Sequence, residues 1–253
     1  MKITFLGVST CIPDVGSEVA SFVINERVLV DSGWCNVLKM RQYGLDPLKL
    51  EYVLLTHFHQ DHYLGLAHLL FYLGMKQPAA GKAEGRKPLV LLGPAKYLRK
   101  IVGVTQDFLQ LARFPELAVN LKLVPVSGGA SFQGDSFQID TFPGNHFSGS
   151  RKEESFICRF TENGNRRSLV FTGDTSFYPA SVEFIRGAEM LIHDACHTAP
   201  EKAAYLARKA RAGKLYLIHY SKTGERKTLA AARKVFRPSF LAREGKTVSM
   251  PPT

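Results

Sequence analysis

The chain is 253 residues long, 45% hydrophobic and 22% charged, the balance of a globular protein with enough chain to bury a sizeable core. No apolar run approaches the ~18 residues of a membrane span, and Met1–Gly7 reads as a short strand, without the long apolar stretch and cleavage site of a signal peptide. The expectation is one domain over residues 1–253, cytoplasmic, with no membrane partner. The net charge is +11 and uneven: between Ala207 and Lys246 twelve Lys or Arg stand against two acids. Concentrated positive charge attracts anionic partners, but solvated helix faces of a basic protein give the same pattern, so charge alone decides nothing.

Short runs rich in Val, Ile, Leu and Phe, bounded by Gly, Pro or Asp, mark strands; apolar residues at helical spacing mark helices. In chain order these predict strands at 3–6 and 27–30, a helix at 36–42, a strand at 52–55 and a helix at 63–73. Residues 77–87, rich in Ala, Gly and Lys, read as a mobile surface loop. A strand at 89–92, helices at 94–102 and 105–112, and strands at 121–125, 136–142, 155–160 and 168–171 follow. The last part alternates: helix 180–186, strand 190–193, helix 200–212, strand 214–218, helix 226–236. Thr198, with Glu201 three residues on and Pro200 between, reads as a capping box opening the helix at 200. Strands followed by helices, twice over, suggest two sheets face to face with helices outside.

The four cysteines, Cys11, Cys35, Cys158 and Cys196, form no C-x-x-C pair and no zinc-finger spacing, so they read as buried or half-buried thiols; Cys35 and Cys196 fall near the motifs below. The strongest local signal is Thr56-His57-Phe58-His59-Gln60-Asp61-His62, with three histidines and an aspartate within six residues directly after the strand at 52–55. A strand that ends in a loop can aim several side chains into one cavity, and imidazole with carboxylate suits Zn²⁺, Mn²⁺ or Fe.

His57-x-His59-x-Asp61-His62 resembles the signature of the metallo-β-lactamase superfamily, and further segments match that family's motifs in order. Val30-Asp31-Ser32-Gly33 resembles the first motif, a strand ending in a buried aspartate. Gly144-Asn145-His146, Thr172-Gly173-Asp174-Thr175 and Ile218-His219-Tyr220-Ser221 resemble the third to fifth. The resemblance runs from Met1 to about Lys246 and implies an α/β fold, an αββα sandwich of two facing mixed sheets with helices on the outer faces. It also implies two divalent metal ions, zinc first, with manganese or iron as alternatives. His57, His59 and His146 would hold one ion, Asp61, His62 and His219 the other, and Asp174 would bridge them. Asp31 would stand behind the ligands, since a ligating histidine usually gives its other N–H to a carboxylate.

Within that superfamily, the segment from Phe5 to Pro13 and His146-Phe147-Ser148-Gly149-Ser150 resemble ribonuclease Z and its relatives. Ile192-His193-Asp194-Ala195-Cys196-His197-Thr198 is similar to a shortened form of two of that branch's motifs, and Leu241-Ala242-Arg243-Glu244-Gly245 resembles its C-terminal strand. This implies phosphodiester hydrolysis by a metal-bridging hydroxide, with catalytic candidates Asp61, His197 and Asp194. His197 would protonate the leaving oxygen, oriented by Asp194, and Thr198 and Ser148 are candidate substrate-binding residues. His193, at a strand end, reads as facing away from the metals. There is a departure: the branch's tRNA-gripping arm lies between the motifs of His146 and Asp174, which are only 28 positions apart here. The expected partner is therefore an anionic small molecule or a short nucleic acid. A hydrolase of lactones, thioesters or amides is the alternative, and a binding or redox protein on the same fold a third. Relatives are often homodimers, but no segment marks an interface.

Overall fold

The computed structural model describes residues 1–76, 87–164 and 167–250; the loop expected at 77–87 lies, but for Lys87, outside the described residues. The first half lays down β1 (Lys2–Gly7), β2 (Ser21–Ile24), β3 (Val28–Val30), β4 (Tyr52–Leu54), β5 (Leu89–Pro94) and β6 (Leu121–Val126), with α1 (Asn36–Gln42), α2 (Gly65–Lys76) and α3 (Leu98–Phe108) between them. The second half gives β7 (Ser131–Gln133), β8 (Phe137–Pro143), a ribbon of β9 (Phe147–Ser148) and β10 (Arg151–Lys152), then β11 (Phe156–Glu162), β12 (Ser168–Phe171), α4 (Val182–Ile185), β13 (Met190–Asp194), α5 (Pro200–Lys209), β14 (Lys214–Ile218), α6 (Glu225–Val235), β15 (Ser239–Leu241) and β16 (Thr247–Ser249).

Two seven-stranded sheets result, ordered β16-β1-β2-β3-β4-β5-β6 and β15-β14-β13-β12-β11-β8-β7. Both are mixed: β3 to β6 run parallel in one and β12 to β15 in the other, with antiparallel neighbours on the remaining edges. The inner faces meet through aromatic contacts such as Phe22 on Phe171, ring centroids 5.0 Å apart and edge-to-face. Side chains alternate along each strand. Phe5 and Phe22 therefore enter the core between the sheets, while Leu6 and Val23 point outward to the helical layer of α1, α2 and α3. With both faces covered, these strands need continuous apolar runs. On α2, Leu66, Leu69, Leu70 and Leu73 form the stripe that covers the first sheet.

The differences from the sequence reading have local causes. The predicted helices at 94–102 and 105–112 are one helix, α3, which runs through Gly103, while Pro94 ends β5. β2, β7, β9, β10, β15 and β16, each two to four residues long, have no counterpart among the predicted strands. Of the 241–245 segment only Leu241 is in a strand, as the last residue of β15; residues 242–245 lead through a turn to β16. The capping box at Thr198 does not form: the N-cap of α5 is Ala199, without a side-chain cap, and the Thr198 hydroxyl donates instead to the Thr175 carbonyl at 2.6 Å. Cys158 is buried and Cys35 half-buried as expected, but Cys11 and Cys196 are exposed; all four are free.

Parallel pairing decides where the chemistry gathers. β3 and β4 are in register at Val30 and Leu54, and β12, β13 and β14 at Phe171, Ile192 and Tyr216. The C-terminal ends of these five strands therefore open at one end of the sandwich, the usual place for a site in parallel sheets.

Candidate metal centre

Each strand end contributes a short, sharply turned segment. Asp31 (φ 54°) follows β3 and His219 (φ 59°) follows β14, both in the left-handed region that L-residues with side chains avoid. Such positions cost on the order of 1–3 kcal/mol and persist where surrounding structure holds them. Gly173 (φ 56°) makes the same turn after β12, with the site of a Cβ 3.1 Å from Thr56 Cβ, so a side chain there would meet both strain and crowding. After β4 the chain runs through Thr56 and His57 to a single tight turn at Gln60–His62, and α2 begins at Gly65. A Cβ on Gly65 would lie 1.9 Å from the Gly33 carbonyl oxygen, so its absence lets the metal loop lie against the β3 end.

The geometry brings two groups of ligand-type atoms together, His57 with His59 and His146, and Asp61 with His62 and His219, and joins Asp174 to His57 and His62. His59 Nδ1 is 3.0 Å from His146 Nε2. His62 Nε2 is 3.2 Å from Asp61 and 3.5 Å from Asp174. His219 Nε2 is 4.0 Å from Asp61, and His57 Nε2 is 3.9 Å from Asp174. The Nε2 atoms of His57, His62 and His219 are buried with no hydrogen-bond partner among the described residues. Buried imidazole nitrogens are rarely left so. Three of them facing carboxylates fit a cation better than any internal hydrogen-bond scheme. The donor set, imidazole with carboxylate, suits borderline divalent ions, and the residues present fit a dinuclear centre.

Behind the ligands, Asp31 is fully buried. It takes a hydrogen bond from His62 Nδ1 at 2.8 Å and others from the Thr56 amide and hydroxyl. The Thr56 hydroxyl also meets His57 Nδ1 at 3.1 Å. One carboxylate thus orients His62 directly and His57 through Thr56, a residue the sequence reading passed over although it stands beside His57. On the other side Asp194, the buried last residue of β13, takes His197 Nδ1 at 2.9 Å and His219 Nδ1 at 3.3 Å. Asp194 is itself fixed by the amides of Thr175 and Cys196.

The electrostatics divide the histidines. Burial pushes His57 well below its ordinary value, with His62 adding to the effect, and burial takes His146 down to about 4. Both are neutral at pH 7, the form that donates a lone pair. Burial also works against charge on His62 and His219, but Asp174 with Asp31 and Asp194 outweighs it and raises both. His197 is raised too, first by its hydrogen bond to Asp194. Asp174, despite burial, is held well below the carboxylate range by His219, His62 and His57.

The remaining candidates fall differently. His197, its side chain 33% exposed, stands at the edge of the cluster, stacked on His219 at 5.4 Å. His193 is buried outside the ligand groups, with Nδ1 on the Asp194 carbonyl. Thr198 is buried, and its hydroxyl donates to the Thr175 carbonyl at 2.6 Å. Ser148 is exposed on β9 of the ribbon that follows His146, paired with Arg151. Cys196 adjoins His197 and His219, but burial, Asp194, Asp174 and Cys11 raise its thiol to about 11, which keeps it protonated at neutral pH.

The fold and this constellation define a metallo-β-lactamase-type protein: two mixed sheets with a His/Asp cluster where parallel strands end. The chain belongs to the beta-lactamase superfamily domain family, which matches residues 26–220. Among curated proteins it is 27% identical over 312 aligned residues to ribonuclease Z of Myxococcus xanthus, covering 99% of this chain and 98% of that one. It is 24% identical to ribonuclease Z of Picrophilus torridus over 96% of this chain and 94% of the relative. Human short-form tRNase Z superposes with a TM-score of 0.78 at 21% identity over the whole of both chains. The metallo-β-lactamase-fold protein YhfI of Bacillus subtilis superposes at 0.75, 20% identical over 98% of this chain and 99% of that one. Both aligned lengths to the ribonucleases Z exceed the 253 residues of this chain, so those relatives carry residues with no counterpart here. Between His146 and Asp174 the described residues form only the β9–β10 ribbon, β11 and β12.

Proposed function

We propose that the chain, as one domain over residues 1–253, is a dinuclear metal-dependent phosphodiesterase of the ribonuclease Z-like branch, acting on RNA. The observation that carries this reading is the set of unpartnered Nε2 atoms of His57, His62 and His219 opposite Asp61 and Asp174, in a chain whose near-full-length relatives are ribonucleases Z. His57, His59 and His146 would hold one ion, Asp61, His62 and His219 the second, and Asp174 would serve both. Divalent ions held there supply an activated water and neutralise charge on the phosphoryl oxygens. Zinc is the first candidate from the imidazole-rich donor set, with manganese or iron as alternatives.

The chain's own residues do the rest. Asp31 and Thr56 lock His62 and His57 with Nε2 turned inward. Asp194 holds His197 by Nδ1, which leaves His197 Nε2–H free to protonate the departing oxygen. Four free cysteines are in keeping with a reducing, cytoplasmic setting, and among the described residues no helix is long and apolar enough to cross a membrane. The largely apolar groove of Trp34, Tyr63, Leu64, His68, Val104 and Phe108 is the face on which a homodimer would form.

The test is a substrate panel on metal-loaded protein: bis(p-nitrophenyl) phosphate, an RNA with a single-stranded 3′ end, an acyl-homoserine lactone and a thioester. Metal-dependent, chelator-sensitive turnover of the first two is expected. Turnover confined to lactone or thioester would replace this reading with the acyl-hydrolase alternative.

A further inference from the structure

The charge of the C-terminal stretch is not scattered. On α6 the exposed positions are Arg226, Lys227, Ala230, Arg233 and Lys234, with Arg237 just past the helix end. Their spacing repeats every seven residues, so 226 and 227 lie above 233 and 234 on one face, about 10 Å apart along the axis. That face bears five cations, one alanine and no acid. Glu225 is turned into a 3.0 Å pair with Arg243. Arg233 is steadied by the Ser239 carbonyl and the Phe240 ring. The other four have no ion pair or side-chain hydrogen bond among the described residues. Cations left unpaired in a row repel one another, an arrangement that costs stability unless an anion covers it.

The position of the ridge matters as much as its charge. β14 ends at Ile218, His219 turns into the candidate metal centre, and a single turn at Lys222–Gly224 leads straight into α6. Because β14 and β15 are parallel neighbours, α6 between them runs back from the strand ends, and over its length of about 16 Å it carries its last cations away from the end that holds the metal centre. A mononucleotide bound at the metals cannot reach Arg233, Lys234 or Arg237. A chain of phosphates can. A membrane surface is disfavoured because a helix that lies in lipid needs an apolar face towards it, and this face offers only Ala230.

We propose that the exposed face of α6 is a docking ridge for the phosphodiester backbone of a polynucleotide whose scissile bond lies at the metal centre, so that the substrate is an extended RNA and not a small phosphodiester. This rests on the phosphodiesterase reading for the identity of the substrate, but the ridge's affinity is measurable without turnover. Contacts of this kind position the strand and carry no sequence preference.

The test uses metal-loaded, full-length protein and a fluorescent phosphorothioate RNA hairpin of roughly two helical turns, long enough to span from the metal centre past the end of α6. Binding is followed by anisotropy across a salt series for wild type, for the Lys227→Gln/Lys234→Gln/Arg237→Gln variant, and for Arg99→Gln/Lys100→Gln/Lys122→Gln, which removes three exposed cations from the opposite side of the sandwich. The α6 variant is expected to bind on the order of 10- to 100-fold more weakly at 0.1 M salt, with the slope of log K against log salt reduced by about 2. The second variant is expected to match wild type. Equal losses in both, or none in the α6 variant, would overturn the ridge, as would α6-dependent binding to phosphatidylserine vesicles without binding to RNA. Wild-type turnover of bis(p-nitrophenyl) phosphate reads the metal centre separately: its absence beside an α6-dependent RNA affinity would remove the phosphodiesterase reading and leave the ridge.

Discussion

Replacing Thr56 by valine tests the support beneath the metal loop with almost no change of shape. The threonine hydroxyl donates to Asp31, 2.9 Å from Oδ2, and accepts from His57 Nδ1 at 3.1 Å, all three groups being buried. Valine deletes a bond to a charged acceptor, worth about 1.5–3 kcal/mol, and strands the His57 Nδ1–H, which costs about 1–3 kcal/mol when unsatisfied. Asp31 keeps its bonds from His62 Nδ1 and the Thr56 amide, so the carboxylate is not orphaned and the two losses do not add in full. The expected destabilisation is about 2–4 kcal/mol, read by urea unfolding of metal-free protein, or about 2–4 °C in Tm per kcal/mol for a chain of this size. With its Nδ1 partner gone, His57 loses the constraint on its tautomer and ring angle, and metal affinity is expected to fall about 10- to 100-fold. A competing chromophoric chelator reads this, and one of two ions should be weakened far more than the other. Unchanged affinity for both ions, in a variant destabilised as expected, would refute the claim that Thr56 transmits Asp31's hold to His57.

Further outcomes follow from the same contacts. His197→Ala should lower turnover about 10²- to 10⁴-fold, as loss of a general acid does, while metal content stays constant; the loss should shrink for p-nitrophenolate leaving groups and grow for alkoxides, and an equal loss for both would remove the acid role. Glu244 takes bonds from the Glu18 amide, Lys39 and Tyr43; burial opposes its charge, yet these donors hold its carboxyl below the ordinary value of 4.5. Its stabilisation is therefore complete above that value and lost as pH falls through the folded-state value, so Glu244→Gln should cost on the order of 1–3 kcal/mol at pH 7 and flatten the acid limb of a urea-midpoint profile; parallel profiles would contradict this. Gly65→Ala forces a Cβ to within 1.9 Å of the Gly33 carbonyl and should destabilise by at least about 1–3 kcal/mol, with metal affinity falling alongside; a neutral substitution would show that the β3 end and the metal loop move apart freely.

The parts of this protein visible in its sequence are those whose signal is local. His57, His59, Asp61 and His62 lie within six residues, and no structural role explains them as economically as a metal. His146, Asp174 and His219 were legible only by their order along the chain, since each alone is one polar residue at a strand end. Thr198 marks the limit of local reading: its sequence context calls for a helix cap, but parallel pairing brings the Thr175 carbonyl within 2.6 Å and the hydroxyl goes there. The double duty of Asp194 on His197 and His219 depends on β13 and β14 being neighbours, which no spacing records. The tie between Glu18 and Glu244, 226 positions apart, is equally invisible until the C-terminal turn closes on the first sheet. The clustering of charge after Ala207 was plain, but its alignment along one face of α6 required the helix boundaries.

Whether Asp174 joins two cations in one hydrolytic centre is decided by the Asp174→Ala variant. Its carboxylate faces His57, His62 and His219 at 3.5–3.9 Å, and removing it leaves two like charges without the anion between them. The measurement is metal stoichiometry together with turnover of bis(p-nitrophenyl) phosphate, after loading with zinc or manganese, in folded protein verified by its unfolding midpoint. Two ions per chain and metal-dependent turnover are expected in wild type, with a lost or weakened second ion and turnover at background in the variant. Near-wild-type turnover by the variant at full metal loading would contradict that role of Asp174.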